Sequence, residues 1–197
     1  MRDARRPRHE CARDLIRCKL VIKHDEALAK PRGTRSMNQL SRGYQPVVII
    51  GAGRSGTKIL KASLCRLPGA GSWPCDEINY VWRHGNASES HDELQPERAR
   101  PRVRRYIRRC FDRLARRRGL AHVVEKTCAN SLRVAFVDRV VPDALFVFLV
   151  RDGRDVVASA RKRWKAPLDL PYLLAKARFV PLTDVPYYGP GAGGTPR

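Results

Sequence analysis

No stretch of about eighteen apolar residues, the length of a membrane-crossing helix, occurs in this 197-residue sequence. The longest apolar run, Ala144 to Val150, has the length of a buried strand. The basic N-terminus lacks the apolar stretch of a signal peptide, so the expectation is a soluble, cytoplasmic protein with no transmembrane segment. The six cysteines (Cys11, Cys18, Cys65, Cys75, Cys110, Cys128) are scattered without a C-x-x-C pair, and the histidines are not clustered. That spacing argues against a structural zinc site and against a disulfide framework. Reduced thiols used in packing are expected. Internal repeats are missing as well. Acidic residues are few, 19 against 40 Lys and Arg, for a formal net charge of +21.

Such a field attracts polyanions, which keeps nucleic acid among the possible partners. The arginines concentrate in Met1 to Arg42 and in Arg98 to Arg118, and neither segment interleaves aromatics in the manner of a single-strand binder. A solvated face or tail accounts for most such runs, and an anionic substrate would use the same field.

Three segments divide the chain. Residues 1–43 are Arg-rich without sustained periodicity, apart from a mixed patch near Leu15 to Ile22, and read as a loosely ordered basic extension. Residues 44–165 carry the pattern of an α/β core. Residues 166–197 hold short apolar pieces and then a Gly/Pro-rich end, as if a longer domain were cut short. Within the core, Pro46 to Ile50 is an apolar run ending at Gly51, followed by a glycine-rich turn and then helical spacing at Ile59, Leu60, Leu64 and Leu67 until Pro68-Gly69. Val103, Ile107, Cys110, Phe111, Leu114 and Ala115 share one face of a second helix between Glu97 and Arg118, which Gly119 stops. His122 to Glu125 is a short strand with Lys126-Thr127 at its carboxyl end. Asn130 to Val141 reads as a helix capped by Asn130 or Ser131. Ala144 to Val150 is another strand, ending at Arg151-Asp152-Gly153, and a last helix runs from about Arg154 to Trp164. Strands alternating with helices predict a parallel sheet covered on both faces, with ligands outside the carboxyl ends of the strands. Every chemically suggestive cluster falls at such an end.

The turn Gly51-Ala52-Gly53-Arg54-Ser55-Gly56 admits three readings. As G-x-G-x-x-G it resembles a dinucleotide fingerprint, but the region where a second strand and its acidic residue belong is broken by Pro68, Gly69, Gly71 and Pro74. As G-x-x-x-x-G it begins like a Walker A loop, yet Thr57-Lys58 stands where Gly-Lys-Ser/Thr is required, which counts against ATP hydrolysis and against a P-loop kinase. The third reading is a basic phosphate clamp, Arg54-Ser55-Gly56-Thr57-Lys58, at a helix N-terminus. A turn that needs glycines only for sterics would not explain two cations and two hydroxyls there. The second cluster is Val150-Arg151-Asp152-Gly153-Arg154-Asp155-Val156-Val157-Ala158-Ser159. Arg151 leaves a strand end, and Ser159 lies two helical turns on, so the two could grip one phosphate.

Taken together, the two clusters resemble those of sulfotransferases that use 3′-phosphoadenosine 5′-phosphosulfate (PAPS), over about Pro46 to Trp164. The resemblance implies a P-loop-NTPase-like three-layer α/β/α fold. It implies that Arg54, Ser55, Gly56, Thr57 and Lys58 bind the 5′-phosphosulfate and that Arg151 and Ser159 hold the 3′-phosphate. Asp76-Glu77-Ile78-Asn79-Tyr80 resembles the acidic segment of the bacterial and heparan-type branch, with Glu77 at the position of the catalytic base and Asp76 its rival. Glu125-Lys126-Thr127 resembles that branch's E-K-T/S segment, whose lysine lies near the transferred group. Two positions depart from the family pattern: Arg54 replaces a frequent lysine, and Cys128 follows Lys126-Thr127 where small-molecule sulfotransferases carry a histidine. The implied chemistry is in-line transfer of a sulfuryl group to an acceptor hydroxyl, expected on a carbohydrate or glycolipid, with Glu77, Arg54 and Lys126 catalytic and no metal required. A P-loop-like kinase or hydrolase, a basic nucleic-acid-binding protein and an inactive truncated homologue are the other readings. Trp73 and Trp82 read as packing residues, and His84 and His91 as surface residues.

Overall fold

A computed structural model of the chain describes residues 19–23, 43–164, 170–178 and 180–188. Five strands form one sheet: β1 (Lys19–Lys23), β2 (Gln45–Ile50), β3 (Ala70–Gly71), β4 (His122–Lys126) and β5 (Leu145–Val150), in the spatial order β1-β5-β2-β4-β3. β2 is central and pairs in parallel with both β4 and β5; β3 continues the parallel set on β4. β1 alone runs antiparallel, along the outer edge of β5. The register Ile49↔Lys126 and Ile50↔Phe148 brings the carboxyl ends of β2, β4 and β5 to one edge.

Because side chains alternate along a strand, β2 feeds two cores. Val48 and Ile50 join the larger one with Val123, under α2 (Asn79–Trp82), α3 (Pro101–Arg118) and α4 (Val134–Val140). Val47 and Ile49 join a smaller one with Val124 and Val147, covered by Leu60 and Leu64 of α1 (Thr57–Leu64). Helices on both faces of a largely parallel sheet make the three-layer α/β/α architecture that the alternation of elements predicts. Helix α3 buries Val103, Ile107, Phe111 and Ala115, and Gly119 ends it at φ 59°. Trp73 and Trp82 pack edge-on against Phe111, at 4.8 and 5.9 Å between ring centroids.

Some elements differ from the sequence expectation. Lys19–Lys23 forms a strand inside the segment read as a loose extension, because its apolar Leu-Val-Ile centre pairs with the open edge of β5. The rest of that segment (1–18 and 24–42) and the Gly/Pro-rich end (189–197) lie outside the described residues. Of the apolar positions expected on the first helix, Leu60 and Leu64 of α1 face the core; Ile59 is exposed, and so is Leu67, which lies past the helix end. The helix expected over Asn130 to Val141 is broken: a 3-10 turn (Cys128–Leu132) precedes α4, and neither Asn130 nor Ser131 caps it. The Asn130 amide is committed elsewhere, to Glu125 and Arg133. After α5 (Gly153–Trp164), where patterning fades, come α6 (Leu170–Ala177) and a 3-10 turn (Leu182–Tyr187).

Candidate functional site

The turn after β2 has the geometry of an anion cradle. A Cβ on Gly51 would stand 2.8 Å from the Leu149 carbonyl oxygen and 2.9 Å from Thr57 Cγ2, so only glycine lets the turn sit this close to β5. Gly56 at φ 96° and Arg54 at φ 69° both take left-handed conformations, and among the described residues Arg54 is the single non-glycine to do so. No side chain caps the first turn of α1, which leaves its N–H groups to a partner outside the helix. Ser55 and Thr57 are buried beneath the turn, while Arg54 and Lys58 are exposed.

The second cluster meets this turn. Arg54 Nε donates to Ser159 Oγ at 3.0 Å, and Arg151 donates to the Arg54 carbonyl oxygen at 3.1 Å. Arg151 also lies 3.6 Å from Asp155 one helical turn away. Residues about a hundred positions apart thus share one edge, and the two cations flank the same backbone.

Beside them lies an acid–base cluster. Lys126 Nζ, almost fully buried, is 3.0 Å from Glu77 Oε1 and 3.2 Å from Asp76 Oδ1; Lys61 lies 3.7 Å from the same Asp76 oxygen. Lys176 approaches the other Glu77 oxygen at 3.7 Å. Burial pushes the Glu77 carboxyl upward. The Lys126 charge and hydrogen bond, the Cys128 thiol and Lys176 together outweigh that, holding it below the ordinary range. For Lys126 burial acts downward, but Glu77 and Asp76 hold the ammonium above its usual value. Cys128 stands between the clusters: its sulfur is 3.7 Å from Thr57 Oγ1, and the Glu77 carboxylate acts on the same thiol. Burial, with the Glu77 charge, pushes that thiol up to about 11, so it stays protonated at neutral pH.

Beneath the cluster runs a buried polar network that sequence reasoning missed. Glu125, fully buried, accepts from the Thr127 hydroxyl at 2.6 Å and from Asn130 Nδ2 at 3.0 Å. The Ile78 N–H donates to Thr127 Oγ1 at 3.1 Å, which ties the loop carrying Glu77 to the end of β4. Arg133, also buried, donates to Asn130 Oδ1 at 2.9 Å, to Asn79 Oδ1 and to Asp92. Burial pushes Glu125 up to about 7 against the Thr127 hydroxyl and the Arg133 charge, and pulls Arg133 down to about 10 against Asp92. A glutamate flanked by Val124 in an apolar strand was the available signal. Lys176 gave none, because nothing in its segment marks it out.

The structure therefore brings Arg54, Ser55, Gly56, Thr57, Arg151 and Ser159 together, with Glu77 and Lys126 adjoining through Cys128. Lys58 stands on the exposed side of α1. Asp76 is tied to Lys61 and Lys126. His84 is not the solvated residue the sequence suggests: Asp184 pairs with its Nδ1 at 3.0 Å, and its ring lies 3.8 Å from that of Tyr106. Among the described residues no three His, Cys, Asp or Glu side chains converge as metal ligands.

No curated protein and no solved structure matches the chain. A family model described as the sulfotransferase family matches residues 46–172, from β2, which carries the cradle, through α5 with Ser159 and into α6. That match spans well over half of the sequence, and the chain belongs to the sulfotransferase family.

Proposed function

We propose that the protein transfers a sulfuryl group from PAPS to an acceptor hydroxyl, with a carbohydrate or glycolipid as the acceptor class. The observation that carries this reading is the meeting of Arg54, Ser159 and Arg151 on the uncapped turn, next to the Glu77–Lys126 pair. The residues present fit a phosphosulfate donor: a backbone cradle at a helix N-terminus, with hydroxyls and cations on its flanks. Backbone N–H groups of residues 54–58, the Ser55 and Thr57 hydroxyls and Lys58 would hold the 5′ end. Arg151 and Ser159 would hold the 3′-phosphate. The donor supplies an activated sulfuryl group. Glu77, held ionised, accepts the proton of the attacking hydroxyl. Lys126, kept cationic by its carboxylate partners, balances charge that builds on the leaving oxygens. Arg54 acts through the electrostatics of its guanidinium and not as a proton donor.

A calorimetric titration with 3′-phosphoadenosine 5′-phosphate, beside magnesium-ATP and NAD, tests the reading. Selective binding of the 3′-phosphorylated nucleotide is expected, weakened roughly ten- to a hundredfold in Arg151→Ala, the scale of a lost charge-assisted hydrogen bond. Ser159→Ala should weaken it less. Preference for magnesium-ATP would move the assignment to a kinase or hydrolase. Salt-sensitive retention on DNA with no nucleotide response would favour nucleic-acid binding.

A further inference from the structure

Beyond residue 172, where the family match ends, the chain returns to the site. Lys176, near the end of α6, places Nζ 3.7 Å from Glu77 Oε2, while Lys126 holds Oε1 at 3.0 Å. Both side chains of the Lys176–Glu77 pair are about one-fifth exposed, so the contact is sheltered without being dry. The chain after α6 is pinned to the same stretch that carries Glu77. Asp184, buried in the 3-10 turn, pairs with His84 Nδ1 at 3.0 Å, and Tyr188 meets Tyr80 edge-on with ring centroids 4.7 Å apart. Glu77, Tyr80 and His84 lie within eight positions of one another, so residues 170–178 and 180–188 contact one short stretch of chain, the acidic segment and the residues just after it.

We infer that Lys176 is a positioning residue for Glu77, delivered by α6 and held there by the His84–Asp184 and Tyr80–Tyr188 contacts. The inference rests on Glu77 acting as the base. With one lysine on each carboxylate oxygen, rotation of the carboxyl group is restricted and its ionised form is favoured. The groups facing Glu77 are Lys126 at the end of β4, the Cys128 thiol in the 3-10 turn, Asp76 beside it in the same loop and Lys176 from α6. Removing Lys176 takes away a cation and leaves the acidic neighbour in place, so the carboxyl becomes easier to protonate. Lys126 is then the lysine left to orient it.

The test uses the full chain labelled with 13C at glutamate carboxyls, with the Glu77 resonance assigned by Glu77→Gln. In Lys176→Ala its titration midpoint should rise; in Lys176→Arg it should return close to the wild-type value. In Asp184→Asn, which loosens the segment, it should move in the same direction as in the alanine variant. With PAPS and a responsive acceptor, Lys176→Ala should lower kcat about tenfold and move the acid limb of the rate profile to higher pH. Affinity for 3′-phosphoadenosine 5′-phosphate should stay within about twofold, because Lys176 acts on the carboxylate read as the base and not as a ligand of the donor. A Glu77 midpoint that does not respond to Lys176→Ala in a folded sample overturns the proposal. If the midpoint moves with Lys176 and the wild-type chain binds no 3′-phosphorylated nucleotide, the positioning contact stands and the PAPS reading alone falls.

Discussion

Among single residues, Thr127 shows how much one hydroxyl organises. It accepts the Ile78 N–H and donates to Glu125, so a single oxygen joins the loop bearing Glu77 to the strand bearing Lys126. Thr127→Val keeps the shape but strips a buried N–H and a buried carboxylate of a partner, which costs about 2 to 3 kcal/mol. Urea unfolding should show that loss, and Thr127→Ser should recover most of it. Equal stability of the valine and serine variants would mean that the hydroxyl is not the joint described. Arg54 makes the opposite point. Its left-handed backbone costs roughly 1 kcal/mol that glycine would avoid, yet its side chain reaches Ser159 and its carbonyl receives Arg151. The strain stands where two clusters must meet.

Elements position these residues through a few close approaches. The turn between β2 and α1 nestles against β5 only because Gly51 has no side chain; a methyl group there meets a backbone oxygen at 2.8 Å, which cannot give way like the end of a flexible side chain. Gly51→Ala should therefore push the turn away from β5, cut affinity for 3′-phosphoadenosine 5′-phosphate at least tenfold and lower the melting temperature; unchanged affinity would show that the turn does not form the cradle. Much at this level was legible. The apolar run Pro46 to Ile50 with glycines behind it declared β2 and its turn, and the 3.6-residue spacing of Val103, Ile107, Phe111 and Ala115 declared α3. The break between the 3-10 turn and α4 was not legible. Asn130 looks like a cap in sequence, and only the buried Glu125 beside it explains why its amide turns inward. The strand Lys19–Lys23 was hidden for a related reason: three apolar residues between lysines become a strand only when an edge such as that of β5 is free to pair.

For the molecule as a unit, the formal charge of +21 on 197 residues is the dominant long-range property. Fields of this kind concentrate anions around the protein and are damped within about 10 Å at 0.1 M salt. On the proposed reading, binding of 3′-phosphoadenosine 5′-phosphate should weaken steadily between low and high salt, while Arg151→Ala, which removes a cation proposed to contact the 3′-phosphate, should show a shallower slope. A calorimetric series in sodium chloride checks this, and parallel slopes would assign the salt effect to the general field alone. The parallel α/β class, the glycine-rich turn, the spacing of Arg151 and Ser159 and the family likeness are all written in the order of residues, in local periodicity and fixed short spacings. Folding alone establishes that Arg54 touches Ser159, that Glu125 anchors the loop of Glu77, and that Lys176 reaches the same carboxylate from beyond the patterned core. Those contacts join residues far apart in the chain. Their distances depend on strand register, burial and the docking of the last helix, none of which leaves a period in the sequence.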